Sequence, residues 1–142
     1  NKTFISSTSW TEKVGFSAGL KTIEELKKKD YRNLSNLGSL IKKNWIYYAK
    51  KNNINIIVND YHSIPSFMFD HNKQNEILYT VFTDFYLKHK ILATNSVYLS
   101  FAHNKYNITK YIDLLDKAFG EISKYINGKK KMRNKEMRKF NY

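Results

Sequence analysis

A cluster of hydroxyl side chains near the start of the sequence has the types and spacing that could bind an anion. Residues 6–12 read Ser-Ser-Thr-Ser-Trp-Thr-Glu and lead into a segment with helical periodicity. The unpaired backbone N–H groups and the positive dipole end of a helix N-terminus favour a phosphate or an oxyanion there. The alternative is simple capping, with Thr8 or Ser9 as the N-cap of a capping box. Because caps are far commoner than phosphate sites, the spacing alone favours the cap.

Other chemical motifs are not found in the sequence. The five glycines are isolated and form no phosphate loop. There is no cysteine, and the four histidines lack the spacing of metal ligands. His103 follows a predicted strand and precedes a helix start, a position that favours a local hydrogen bond over a catalytic role. The sequence therefore predicts neither a metal site nor a catalytic residue.

The charge is strongly positive, which raises the question of nucleic acid. The formal net charge is +13, but only three of the 25 basic residues are arginine, the usual reader of bases and phosphates. Residues 129–142 hold seven basic residues and one acidic residue. We interpret this pattern as a lysine-rich solvated surface with a flexible basic tail at 129–142. It disfavours nucleic acid as the partner.

Hydrophobic periodicity predicts the first elements. Residues 11–29 are predicted as a helix whose Gly15 and Gly19 side is buried. A clearer helical stripe starts at Leu34 and ends before Asn52. The β-branched run at 54–58 predicts a strand, and a second short strand follows Pro65.

The second half of the chain continues in the same manner. We predict a helix over 76–89, a short strand at 91–93 and a clean strand at 97–101. The last helix is predicted to start at an Asn107 N-cap and to end at Gly128. The fold class is therefore α+β, with a small antiparallel or mixed sheet and helices packed on one face. We expect one domain at 1–128. No stretch is apolar enough to cross a membrane. The cytoplasm is the expected location.

Three blocks of the sequence resemble one enzyme family. Phe-Ile-Ser-Ser-Thr-Ser-Trp-Thr-Glu-Lys-Val-Gly at 4–15 is similar to the segment that opens the C-terminal part of class III aminotransferases. The likeness is greatest to the branch around glutamate-1-semialdehyde aminomutase. Residues 82–93 and the run Tyr-Leu-Ser-Phe-Ala-His-Asn at 98–104 resemble later blocks of that family. The match covers most of residues 3–127.

This resemblance implies a fold-type I homodimer that uses pyridoxal 5′-phosphate and acts on a small amino donor and acceptor. Residues 1–10 would be the end of a large-domain strand and its junction with the small domain. Thr8, with Ser7 as a weaker companion, would bind the cofactor phosphate of the neighbouring subunit. The lysine that holds the cofactor belongs to the large domain, so this chain alone is expected to be inactive. The alternative is a stand-alone basic module that contacts nucleic acid or another anionic partner through its lysine-rich tail.

Overall fold

A computed structural model describes residues 13–71 and 74–130. The described residues fall into two compact units, which divide between Tyr31 and Arg32. The first unit contains helix α1 (Lys13–Lys27). The second unit contains helices α2 to α5 and a two-stranded sheet. The prediction of an α+β fold is therefore confirmed.

Helix α1 forms where its periodicity predicted, but its glycine side is not buried. Lys21 pairs with Glu24 and Glu25 at distances of 3.4 and 3.2 Å, the helical pair spacing. No residue of α1 is buried. A methyl group added at Gly15 or Gly19 would meet no described atom within 4 Å. The prediction that these glycines permit a close backbone approach is therefore wrong for the described part of the chain.

Helix α2 (Arg32–Lys51) follows its predicted apolar stripe. Leu34, Leu37, Ile41 and Trp45 are all buried at steps of three or four residues. The helix ends at the predicted asparagine pair, where Asn53 has a φ of 56° in the left-handed region. Asparagine tolerates this conformation better than most residues, so the chain can turn here towards the sheet.

The sheet consists of β1 (Ile56–Val58) and β2 (Phe67–Phe69), which pair antiparallel. Phe67 and Phe69 are buried against the helices, whereas Ile57 and Met68, paired in register, are exposed. This alternation is typical of an antiparallel sheet with one covered face. Helices therefore pack on one face of the sheet, as predicted.

The predicted strand at 97–101 is wrong as a regular strand, and Pro65 explains why. The backbone N–H groups of Val97 and Leu99 donate to the carbonyls of Pro65 and Ser63, at 2.9 and 3.2 Å. Only one bridge, between Ser66 and Ser96, is complete. The next antiparallel bridge would need a donor at residue 65, and proline has no N–H. The segment at 95–99 thus lies beside β2 as an interrupted third strand.

The short strand predicted at 91–93 is also wrong. Helix α3 (Asn75–Lys88) is followed by Lys90, which has a φ of 59° in the left-handed region. The N–H of Ile91 donates to the carbonyl of Tyr86 at 3.0 Å. These bonds satisfy the last turn of the helix. Residues 91–93 are therefore the exit from α3 and pair with no strand in the described part of the chain.

The last predicted helix is two helices, α4 (Lys105–Ile112) and α5 (Leu115–Ile126). The N-cap of α4 is Asn104, whose side chain accepts from the N–H of Asn107 at 2.9 Å, so the predicted cap at Asn107 is wrong by three residues. Between the helices, the N–H of Leu114 donates to the Tyr111 carbonyl, only three residues back, so the regular four-residue hydrogen-bond pattern is interrupted there. Gly128, with a φ of 69°, ends α5 as predicted.

The core of the second unit is rich in aromatic side chains. Phe67 lies at its centre, with ring centroids 4.9 Å from Trp45, 5.3 Å from Phe82 and 6.2 Å from Phe119. All four side chains are buried, and edge-to-face geometry is the favoured arrangement of such rings. The cluster ties α2, α3, α5 and β2 together.

None of the described helices has the length and apolarity that a bilayer crossing requires.

Candidate functional site

A tight turn at residues 100–104 connects the interrupted third strand to α4. His103 Nδ1 lies 3.1 Å from both the backbone N and the Oγ of Ser100. Asn104 then caps α4 with its side-chain oxygen. The local hydrogen-bonding role predicted for His103 is therefore confirmed. The turn fixes the imidazole ring relative to the helix that follows.

The turn also determines which nitrogen of His103 carries the proton. The backbone N–H of Ser100 can only donate, so Nδ1 must present its lone pair to it. In the neutral ring the proton is then on Nε2, which becomes the donor. His103 is one of the residues that line a cavity, and the fixed tautomer makes Nε2 the hydrogen-bond donor of its ring.

The cavity lies between α2, the segment at 91–98 and α4, and its volume is about 390 Å³. Its apolar lining residues are Ile41, Ile91, Leu92, Ala93, Val97 and Ile108, together with the rings of Tyr98 and Tyr111. Its other polar side chains are those of Ser96 and Asn107. A volume in this range with apolar walls and few polar groups is typical of sites for small molecules.

A buried hydrogen-bond network supports the inner wall of the cavity. The indole N–H of Trp45 donates to the Tyr111 hydroxyl at 2.7 Å, and the Tyr86 hydroxyl donates to the Tyr111 carbonyl at 3.0 Å. The Tyr86 and Tyr111 rings stack at 4.8 Å. No side-chain nitrogen or oxygen buried in the described part of the chain lacks a partner. The wall is therefore held by directional contacts as well as by packing.

Burial raises the pKa of both tyrosines above the ordinary value of 10.0, because the charged phenolate would lose its hydration. The folded state keeps these protons at a pH where the unfolded chain releases them. Stability is therefore fully present below about pH 10 and falls as the pH rises further, by about 1.4 kcal/mol per pH unit for each tyrosine.

We expect this loss to appear in urea unfolding of the full chain between about pH 10 and pH 11. Tyr86→Phe removes one of the two buried phenols, so its free energy of unfolding should fall less steeply with pH than that of the parent chain. The difference in slope should be about 1.4 kcal/mol per pH unit. Equal slopes for the two proteins would mean that Tyr86 ionises normally in the folded state.

The two residues that the sequence assigned to cofactor binding, Ser7 and Thr8, lie outside the described residues. Hydroxyl groups and backbone N–H groups are hydrogen-bond donors, and phosphate oxygens accept hydrogen bonds from both. Across the described ranges 13–71 and 74–130, no three side chains of the ligating types His, Asp or Glu group closely enough to hold a metal ion.

The cavity itself was not expected from the sequence. Its lining comes from three separate segments, and the sequence patterns that predicted the elements did not indicate that these segments meet. Of the lining residues, the sequence analysis gave specific roles to His103, as a local hydrogen-bonding residue, and to Asn107, as an N-cap. No protein-family profile and no curated protein sequence matches this chain.

Proposed function

We propose that this chain is the C-terminal small domain of a pyridoxal-phosphate aminotransferase or aminomutase of class III, similar to glutamate-1-semialdehyde aminomutase. The support is the resemblance of residues 4–15, 82–93 and 98–104, which occur in the order that the family has. An α+β unit with helices on one face of a small sheet agrees with this proposal.

The observation that carries the proposal is the turn at 98–104. In the family this block reads as a strand, then Ala-His-Thr or Ala-His-Asn, then the last helix. Here the same residue types have specific physical roles, since His103 closes the turn and Asn104 caps the helix.

In the proposed enzyme, Ser7 and Thr8 hold and orient the cofactor by donating hydrogen bonds to its phosphate. The cofactor, when bound, supplies the electron sink for amino transfer. The side chains of Phe16, Leu20 and Ile23 stand exposed on one face of α1. The proposal assigns this face to the contacts of the parent homodimer, because an amphipathic helix normally buries its apolar side. The cytoplasm is the location that the proposal implies.

Thr8→Ala in the full-length parent enzyme should weaken the binding of pyridoxal phosphate. A hydrogen bond to a charged group contributes about 1.5–3 kcal/mol, so the dissociation constant for pyridoxal phosphate should rise by roughly tenfold or more. The measurement is a titration of the apoenzyme followed by the absorbance of the bound cofactor. Thr22→Ala is the matched control, since the Thr22 hydroxyl donates to the Ala18 carbonyl on exposed α1.

An unchanged dissociation constant for Thr8→Ala would remove Thr8 from the phosphate site.

A broader test uses the 142-residue chain alone. It should show no transaminase turnover with added pyridoxal phosphate and an amino donor. If it instead bound nucleic acid with a steep dependence on salt, the chain would be a stand-alone basic module. Coding sequence upstream that lacks a large domain would contradict the proposal in the same way.

A further inference from the structure

We propose that the cavity beside His103 binds a small uncharged molecule that is mostly apolar and carries one carbonyl acceptor. The lining of this site includes neither Ser7 nor Thr8, and the proposal goes beyond the function proposed above. The inference rests on the size of the cavity, on the chemistry of its lining and on the fixed tautomer of His103.

The size of the cavity selects a small molecule. Its volume of about 390 Å³ lies at the small end of the range of ligand pockets. A helix, whose diameter with side chains is about 10–12 Å, is too large for this space. The occupant that we propose is therefore a single compact ligand.

The lining excludes a charged ligand. None of the described residues around the cavity is a lysine, an arginine or a carboxylate. An ion that entered would lose hydration without gaining a counter-charge, and that cost is large. An apolar body gains instead, because Ile41, Ile108 and Tyr111 form a wall of buried side chains.

The mouth of the cavity presents apolar surface to solvent. Leu92 and Tyr98, which both line the cavity, are 86% and 73% exposed. A bound ligand would cover part of these two side chains and remove apolar area from water, which favours binding. Binding would thus use surface that the free protein leaves hydrated.

Among the polar side chains that line the site, His103 is the one whose donor is fixed by a neighbouring hydrogen bond. Because the Ser100 N–H fixes Nδ1 of His103 as an acceptor, Nε2 is a donor. A carbonyl oxygen is the acceptor that matches it in an uncharged ligand. The Asn107 amide, which makes no side-chain hydrogen bond within the described residues, lies on the same wall and can support the orientation.

The test compares acetophenone with ethylbenzene, which has the same ring but no acceptor, on the full chain with methyl-labelled side chains. Acetophenone should shift the NMR signals of the Ile41, Leu92 and Ile108 methyl groups in a saturable way. Ethylbenzene should bind at the same place about two- to tenfold more weakly, the usual effect of one hydrogen bond. Absent or non-saturable shifts, or equal affinities, would overturn the proposal.

Two variants localise the effect. Leu92→Ala should weaken both compounds several-fold because it removes apolar contact at the mouth, whereas Met68→Ala, an exposed apolar residue on the outer sheet face, should change neither. His103→Asn keeps an acceptor for the Ser100 N–H and replaces the Nε2 donor with an amide donor on a shorter side chain. It should reduce the preference for acetophenone over ethylbenzene. A His103→Asn protein that preferred acetophenone by the same factor as the parent chain would disprove the assigned hydrogen bond.

Discussion

Replacing Gly38 with alanine should lower the free energy of unfolding by about 1–3 kcal/mol, although alanine is the better helix former. Gly38 lies within α2, and a Cβ atom there would collide with the backbone carbonyl of His62. Backbone cannot rotate away as a long side chain can, so the loop must move. The measurement is equilibrium urea unfolding of the full chain, followed by far-ultraviolet circular dichroism.

The loop at 59–65 is attached to α2 by contacts that such a movement would break. Ser39 Oγ lies 2.9 Å from Nδ1 of His62, and the Lys42 ammonium donates to the Asn59 carbonyl at 3.0 Å. These bonds hold the loop close to the helix only because residue 38 has no side chain. The cost of the alanine therefore combines the steric clash with the loss of this attachment.

Gly120→Ala is the matched control, since Gly120 also lies within a helix. Among the described residues, its added methyl group would meet the Asn52 side chain alone, at the ordinary contact distance of 3.5 Å. This variant should be neutral or more stable, by up to about 1 kcal/mol, because alanine is favoured over glycine in helices. The two variants should differ by about 1–4 kcal/mol. Similar effects of the two substitutions would show that the His62 loop does not press on Gly38.

Gly38 also shows where sequence reasoning stops. The stripe Leu34, Leu37, Ile41 and Trp45 was sufficient to predict α2 and its buried face, because a helix repeats its contacts every three or four residues. The need for glycine at position 38 depends on a loop more than 20 residues further along the chain. No local pattern reports that contact. The same reasoning assigned the close approach to Gly15 and Gly19, where the structure has none.

The break between α4 and α5 escaped the sequence for a different reason. Asp113 and Leu114 keep helical dihedral angles, so the apolar period continues through them. Ile108, Tyr111, Leu115 and Phe119 follow one another at steps of three or four residues, and all four are buried even though the helix is interrupted. The apolar periodicity identifies the buried face, but it does not detect one backbone hydrogen bond whose acceptor lies three residues back instead of four.

Of the candidate sites, the role of one residue could be predicted from the sequence, whereas the cavity could not. The role of His103 was predictable because its partner, Ser100, is three residues away. The cavity was not, because its walls combine α2 with segments 50 and more residues further along the chain. Residues that act through neighbours in sequence leave a local pattern, whereas a cavity depends on tertiary packing. The phosphate-binding role of Ser7 and Thr8 remains a prediction, since these residues lie outside the described part of the chain.

The buried hydrogen bond between Trp45 and Tyr111 should produce strong non-additivity between two substitutions. Tyr111→Phe leaves the Trp45 indole N–H without its acceptor at a site with no solvent access, which should cost about 1–3 kcal/mol. Trp45→Phe removes the donor and also leaves space in the core, at a cost of about 2–4 kcal/mol. The double variant should be less destabilised than the sum of the two by about 1–2 kcal/mol, because no polar partner is left unpaired.

The measurement is a double-mutant cycle of unfolding free energies in urea for the four proteins. Circular dichroism is the suitable signal, since Trp45→Phe removes one of the two tryptophans that fluorescence would report. Met68→Ala combined with Trp45→Phe provides a control pair, which should be additive within about 0.5 kcal/mol because Met68 lies on the exposed sheet face. Additivity for Trp45 and Tyr111 as well would mean that water or another group satisfies the indole.

This cycle bears on the cavity as well as on stability, because Tyr111 belongs to both. Its hydroxyl accepts from Trp45 in the core, and its side chain forms part of the cavity wall. In Tyr111→Phe the ring keeps its stacking on Tyr86 but loses the bond that fixes its position along the core. We therefore expect this variant to bind acetophenone more weakly than the parent chain, even though the tyrosine hydroxyl is not the proposed ligand donor. A preformed site needs a rigid wall, and here the rigidity comes from a hydrogen bond directed away from the ligand.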